Sequence, residues 1–169
     1  TSITLIKKIF DNIESKNVLL IGSGDMIELA IKYLQSNNIR EITLTNRNYE
    51  KGKRLADNHN CNFSRLQNLG HLIPNNDIIF ASTSSSLPIL GKGMMESCLN
   101  STTKKPIVII DLGVPRDVEP EIANLDDVYL YSIDDLGKVI ENNYKIRKQA
   151  VTQAGNIINY KIIEFKNWL

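Results

Sequence analysis

Thiols are scarce in this chain. Cys61 and Cys98 are its two cysteines, far apart and in neither C-x-x-C nor metal-ligand spacing. That excludes a disulfide framework and a thiolate zinc site, and a reduced, cytoplasmic setting is expected. A charge of one sign is also lacking. Twenty Lys and Arg against 19 Asp and Glu leave a formal charge of +1, so no global basic field draws in nucleic acid, and any RNA contact must be local or lie elsewhere. No apolar run approaches the ~18 residues of a membrane span, and the opening residues do not read as a signal peptide. The two histidines, His59 and His71, have no ligand partners at metal spacing. The chain opens on Thr1 and closes on "KIIEFKNWL", still in helical rhythm, so an excised piece of a longer protein is expected.

What is present is alternation. Thr1 or Ser2 caps a first helix striped with Ile3, Ile6, Phe10 and Ile13 at helical spacing. Val18 to Ile21 is a continuous apolar run followed by glycine, the pattern of a buried parallel strand. A helix follows from Asp25, with Ile27, Ile31 and Leu34 on one face and Asn37 and Asn38 at its end. Further strands are predicted at Ile42–Thr45, Cys61–Phe63, Ile78–Ala81, Ile107–Asp111 and Val128–Tyr131. Helices are predicted at Tyr49–Asn58, weakly at Arg65–Leu72, and near Gly93–Leu99. Strands alternating with helices predict an α/β fold: a Rossmann-like, doubly wound parallel sheet.

The tail is different. From Ile133 to Leu169 there is no proline, and Leu136, Ile140, Tyr144, Val151, Ala154, Ile158, Ile162, Phe165 and Leu169 recur at steps of three, four or seven residues. A helix of ~35 residues would run roughly 50 Å and outreach a domain of this size. The expected division is a nucleotide-binding domain over 1–132, with its leading helix over 1–15, and the start of a long C-terminal helix over 133–169. Part of that stripe should seek another surface.

The chemistry centres on "NVLLIGSGDMIELAIKYL", Asn17 to Leu34. A dinucleotide fingerprint reads G-x-G-x-x-G between a strand and a helix. Gly22 and Gly24 are in place, Ser23 between them, and Ile27 stands at the third glycine, after Asp25 and Met26. Gly22 permits the tight turn, and Gly24 lets backbone approach a pyrophosphate at the helix N-terminus. Asp25 suits the helix dipole but repels a phosphate. The bland alternative is a glycine turn with no ligand. An NAD site carries an acid about 20 residues further on. Here "LTNRNYEKGKR" offers Asn46, Arg47, Asn48 and Lys51, and an arginine fork suits a 2′-phosphate. This favours NADP, against a solvated basic helix start. Two more strands end in "ASTSSSLP" and "DLGVPRDVEP", at the sheet edge where open α/β folds bind ligands. Thr83, Ser84 and Ser85 offer hydroxyls to a ribose. Gly113, Val114 and Pro115 would keep a loop close to a nicotinamide, and Arg116 pairs with Asp117 or Glu119 or faces a substrate. Serine- and proline-rich turns are the alternative. No nucleophile stands out, since Cys98 lies on an apolar helix face and Cys61 at a strand start. No catalytic residue and no metal ligand is assigned.

The strings "LLIGSGDMIELA", "LTNRNYEKGKRLA", "ASTSSSLPILGKGMME" and "IDLGVPRDVEPEIANLDDVYLYSIDDL" together resemble the NADPH-binding domain of glutamyl-tRNA reductase. The likeness runs from the helix at Ile3 to at least Gln153, and the last string is the most specific. The resemblance implies an enzyme that reduces glutamate esterified to tRNA to glutamate-1-semialdehyde, at the head of a route to tetrapyrroles (porphyrins). Its cysteine-bearing catalytic domain holds a thioester, to which NADPH on the middle domain gives hydride. A spinal helix leads to a dimerisation domain, and glutamate-1-semialdehyde aminomutase is the partner downstream. Carried over by position, Gly22 to Ile27 would hold the pyrophosphate, and Asn46 and Arg47 would read the adenosine ribose phosphate. Thr83 and Ser84 would sit near the cofactor, and Gly113 to Arg116 would lie toward nicotinamide and catalytic domain. Ile133 onward would begin the spinal helix. Neither Cys61 nor Cys98 matches the catalytic cysteine, so this chain alone should be inactive.

Two other readings stay open. One is a shikimate-dehydrogenase-like NADP-dependent oxidoreductase domain, whose second strand also ends in an asparagine–arginine pair. The lack of a catalytic lysine and aspartate constellation argues against it. The other is a non-enzymatic nucleotide-sensing module in which ligand binding moves the long helix.

Overall fold

A computed structural model of the chain describes residues 2–99, 105–141, 144, 145 and 148. Helix α1 spans Ser2–Ile9, and β1 spans Val18–Ile21, four apolar residues that are all buried. Helix α2, Asp25–Ser36, follows directly and turns Ile27, Ile31 and Leu34 inward. It ends at Asn37, and Asn38 takes a left-handed φ of 62°, which asparagine tolerates. Then come β2 (Ile42–Asn46), α3 (Tyr49–Asn58), β3 (Asn62–Arg65), α4 (Leu69–Leu72), β4 (Ile78–Ala81), α5 (Lys92–Leu99), β5 (Ile107–Asp111) and β6 (Val128–Ser132).

All six strands are parallel, in the order β3-β2-β1-β4-β5-β6. The chain winds outward from β1 to β3, returns, and winds the other way from β4 to β6. The doubly wound sheet predicted from the alternation is therefore present. The direction of winding reverses between β1 and β4. There the carboxyl ends of two neighbouring strands lead away from each other, and ligands of open α/β sheets settle in the gap.

One face of the sheet builds a core from Leu19, Ile21, Ile79, Ala81, Ile107 and Ile109 against Leu69, Ile73, Met95 and Cys98. On the other face, Gly52 of α3 packs so closely that a Cβ there would lie 2.6 Å from Phe63 and 2.7 Å from the Asn46 Cβ.

Several boundaries differ from expectation. The leading helix expected over 1–15 ends at Ile9, and Phe10 and Ile13 are buried from the irregular segment that follows. β2 and β6 each run one residue further, and α5 opens one residue earlier, within ordinary end fraying. β3 lies at Asn62–Arg65 rather than Cys61–Phe63, because only Phe63 gives this polar edge strand an apolar anchor. The helix expected over Arg65–Leu72 is a 3₁₀ turn, Leu66–Asn68, followed by the four-residue α4 and a second 3₁₀ turn, Ile73–Asn75, carrying Pro74.

The chain divides into two compact units, Ser2–Ile133 and the segment from Asp134 onward. Residues 133–141 are helical, with Ile140 exposed. The expected stripe at Val151, Ala154, Ile158, Ile162, Phe165 and Leu169 lies outside the described residues. Among the described residues, no helix is long and apolar enough to cross a membrane.

Candidate functional site

A cleft of about 400 Å³ opens at the carboxyl ends of β1, β2 and β4. Its floor is the turn from β1 into α2: Ile21, Gly22, Ser23, Gly24, Asp25 and Met26. Gly22 has φ +123°, and a Cβ there would lie 2.0 Å from the Ser82 carbonyl oxygen. Only glycine lets the two strand tips meet so closely. Gly24 is the N-cap residue of α2, and a Cβ there would meet nothing within 4 Å. No side chain caps this helix. Its N-terminal N–H groups and positive dipole end therefore face open space beside backbone that a ligand can approach closely. Such a cradle receives phosphate oxygens.

The wall at β2 is basic. Asn46, Arg47 and Lys51 line the cleft, and neither cation has an ion-pair partner among the described residues. Asp25 is the one carboxylate of the lining. Asn48 turns its side-chain oxygen to the Lys51 N–H at 2.9 Å, capping α3, and its carbonyl accepts from the Asn46 amide at 2.9 Å. Asn48 thus sets the direction in which α3 carries Lys51. Beyond the cleft edge, the Arg65 guanidinium lies 4.8 Å above the Tyr49 ring, which stands edge-on to Phe63.

The wall at β4 consists of Ser82, Thr83, Ser84, Ser85 and Ile89. Behind it lies a lattice built by the loop after β5. The buried Asp111 carboxylate accepts N–H bonds from Gly113 (2.9 Å), Asp117 (3.3 Å) and Val118 (3.2 Å). Asp117, also buried, accepts the Thr83 N–H at 2.6 Å and the Thr83 hydroxyl. Its own carbonyl accepts from Ile89 and Leu90. Glu119 accepts the Lys92 N–H at 2.7 Å, at the start of α5.

Residues 4–139 match the family model of shikimate / quinate 5-dehydrogenases. The chain belongs to that family. Within it, the likeness is to glutamyl-tRNA reductases. The chain is 40% identical over 167 residues to the glutamyl-tRNA reductase of Halorhodospira halophila, covering 99% of this chain and 37% of that protein. It is 42% identical over 168 residues to that of Methylococcus capsulatus, covering 99% and 40%. The solved glutamyl-tRNA reductase of Methanopyrus kandleri superposes with a TM-score of 0.83 at 27% identity, over 90% of this chain and 38% of that one. The chain thus spans well under half the length of the curated relatives it matches. The resemblance read from four strings extends over the whole chain, and these relatives favour it over the shikimate-dehydrogenase-like reading.

The family fold brings the glycine turn, Asn46, Arg47, Lys51, Thr83 and Ser84 into one cleft. It leaves others outside the lining. Ile27 is fully buried under the turn, with its Cγ1 3.4 Å from where a Gly22 Cβ would stand. Asn48 serves as the cap described above. Gly113, Val114 and Pro115 lie in the loop after β5, with Val114 80% exposed, and Gly113 leaves room for the Asp117 carboxylate, which a Cβ would approach to 2.4 Å. Ile21, Leu66, Ser82 and Ile89 also line the cleft, beyond the residues the sequence motifs point to. Ser82 lies in the quoted serine string, but nothing local signals Leu66, which reaches the cleft because the chain turns back after β3.

The thiols lie away from the cleft lining. Cys98 is buried on α5 and Cys61 half-buried, and burial pushes both thiols up from their ordinary range. Such thiols are poor nucleophiles near neutral pH. His59 sits 3.4 Å from Glu28, and no cluster among the described residues could hold a metal ion.

Proposed function

We propose that this chain is the NADPH-binding domain of a glutamyl-tRNA reductase and that the cleft at β1, β2 and β4 holds the cofactor. The observation that carries the reading is the pairing of an uncapped phosphate cradle at Gly22–Met26, open around Gly24, with Arg47 and Lys51 where an NAD site would hold an acid. Identity of 40–42% to glutamyl-tRNA reductases over 99% of the chain supports it.

In this reading the turn from Gly22 to Ile27 takes the pyrophosphate. Ile27 does so indirectly, by packing α2 under the turn. Asn46 bonds the adenosine ribose, Arg47 and Lys51 neutralise its 2′-phosphate, and Asn48 aims Lys51. Thr83 and Ser84 face the nicotinamide half. Gly113, Val114 and Pro115 form the outer rim, toward the catalytic domain. Bound NADPH supplies hydride for reduction of a glutamyl thioester to glutamate-1-semialdehyde, for porphyrin and other tetrapyrrole synthesis. This chain's residues hold and orient the cofactor, and none is assigned to the covalent step.

The domain plan follows the same reading. Residues 1–132 are the nucleotide domain, and 133–169 begin the spinal helix of a homodimer. Glutamyl-tRNA binds through a part of the protein outside this chain, so the chain alone is inactive. The setting is cytoplasmic, with glutamate-1-semialdehyde aminomutase as recipient of the product. The test is NADPH oxidation by the longer natural protein with glutamyl-tRNA, and in parallel NADP⁺ reduction with shikimate and with quinate. Turnover with glutamyl-tRNA alone is expected, and turnover with either hydroxy acid instead overturns the assignment.

A further inference from the structure

We infer that Asp117 is a positioning residue for the cofactor, one that fixes Thr83 so its hydroxyl oxygen meets the ligand as a hydrogen-bond acceptor. The inference rests on the nucleotide reading of the cleft.

Asp117 itself is buried and does not line the cleft. It acts on Thr83, which does. The Thr83 backbone N–H donates to Asp117 Oδ2 at 2.6 Å, and the Thr83 hydroxyl donates to Asp117 Oδ1. A carboxylate can only accept, so the hydroxyl hydrogen of Thr83 is committed to it. The Ser85 N–H donates to Thr83 Oγ1 at 3.1 Å and occupies one of its two lone pairs. One lone pair is left. A ligand at this wall therefore meets an acceptor that has no hydrogen to offer.

The ligand group that fits is an N–H or O–H donor. Arg47 and Lys51 take the adenosine end at β2, so the opposite end of a dinucleotide crosses the switch point toward β4. Its donors are the ribose hydroxyls and the carboxamide NH₂ of the nicotinamide half. The carboxylate cannot swing away to release Thr83. The Asp117 N–H is tied to Asp111, its carbonyl takes the Ile89 and Leu90 N–H groups at 2.7 and 3.0 Å, and Gly113 closes over its Oδ2.

The substitution Asp117→Asn keeps the shape and reverses the polarity. The amide NH₂ would donate to Thr83 Oγ1, fill the remaining lone pair and turn the hydroxyl hydrogen outward. Thr83→Val removes the acceptor with little change in volume, and Thr83→Ser keeps it. Affinity of the full chain for NADPH and for 2′,5′-ADP, which lacks the nicotinamide half, separates the roles. Wild type and Thr83→Ser should bind both. Asp117→Asn and Thr83→Val should lose NADPH about three- to tenfold, as for one neutral hydrogen bond, with 2′,5′-ADP unchanged. If Asp117→Asn does not fold, Thr83→Val decides. If wild type binds neither ligand, the nucleotide reading fails and takes this inference with it. If wild type binds both and the variants lose neither, or lose both alike, only the positioning role of Asp117 is overturned.

Discussion

Gly22 and Ser82 meet at the point where the sheet reverses its winding: a Cβ on Gly22 would stand 2.0 Å from the Ser82 carbonyl oxygen, with φ at +123°. The contact joins the tips of β1 and β4 and makes the cleft floor part of the fold. Gly22→Ala must relieve both the clash and the unfavourable φ. It should cost on the order of 2–3 kcal/mol of stability, read as a lower midpoint in denaturant. A midpoint equal to wild type would mean that the strand tips are not joined this closely.

Gly24 makes the opposite prediction, although it lies two residues away. It has an ordinary extended conformation, φ −86° and ψ 177°, and open space around its Cα. Gly24→Val should melt near wild type yet lose NADPH, because the new side chain stands where the pyrophosphate approaches the backbone. Undiminished affinity in the folded variant would move the phosphate site elsewhere.

Much of this was legible in the sequence because it is local. β1 and β4, and β5 up to its closing Asp111, are unbroken apolar runs buried on both faces. The glycine turn and the basic tip of β2 each occupy a few consecutive residues. β3 was displaced because its four residues, Asn62–Arg65, carry one apolar anchor. The spacing of Leu66, Leu69 and Leu72 fits successive short turns as well as it fits one helix. The link from Asp117 to Thr83 was not legible at all. It joins residues 34 apart, and a carboxylate inside "GVPRDVEP" reads as a partner for the adjacent Arg116 until the loop is seen folded behind the cleft. The role of Gly52 is illegible in sequence for the same reason, since its tight fit to Phe63 exists only once β3 lies beside β2.

Arg47 should decide the choice of cofactor. It lines the cleft at the β2 tip, exposed and without an ion-pair partner among the described residues. A hydrogen bond to a charged group is worth about 1.5–3 kcal/mol, roughly ten- to more than hundredfold. Arg47→Ala should lower NADPH affinity by that much and leave NADH almost untouched. Equal loss of both cofactors, or no preference in wild type, would remove the 2′-phosphate assignment.

The thiols should be slow. Burial pushes Cys61 and Cys98 up from the ordinary thiol range, so each stays protonated in the folded chain at a pH where a free thiol ionises. Alkylation by iodoacetamide should lag behind that of a model thiol at pH 8, most of all at the buried Cys98. The stability consequence has a definite sign. Below the ordinary thiol pKa both states hold the proton and nothing is lost. Above it the unfolded chain releases the proton first, so stability falls as pH rises through that window. Mass-spectrometric labelling that finds either thiol faster than the model compound would contradict this.

Thr45 offers a gain in stability. Its side chain is fully buried at the inner end of the basic wall, one residue before Asn46, and its Oγ1 finds no hydrogen-bond partner among the described residues. The neighbouring strands are in register on both sides, Ile21 of β1 and Ser64 of β3, so the backbone of β2 is satisfied by the ladder and the hydroxyl alone is left over. Burying a hydroxyl without a partner costs roughly 1–3 kcal/mol. Valine has almost the same shape, keeps the β-branching that suits a strand, and carries no polar atom. Thr45→Val should therefore raise stability by about 1 kcal/mol, seen as a higher denaturant midpoint with an unchanged slope. Cofactor affinity should stay as in wild type, because Thr45 does not line the cleft. A loss of stability would show that the hydroxyl is satisfied in solution, and a loss of affinity alone would give Thr45 a part in the site through Asn46.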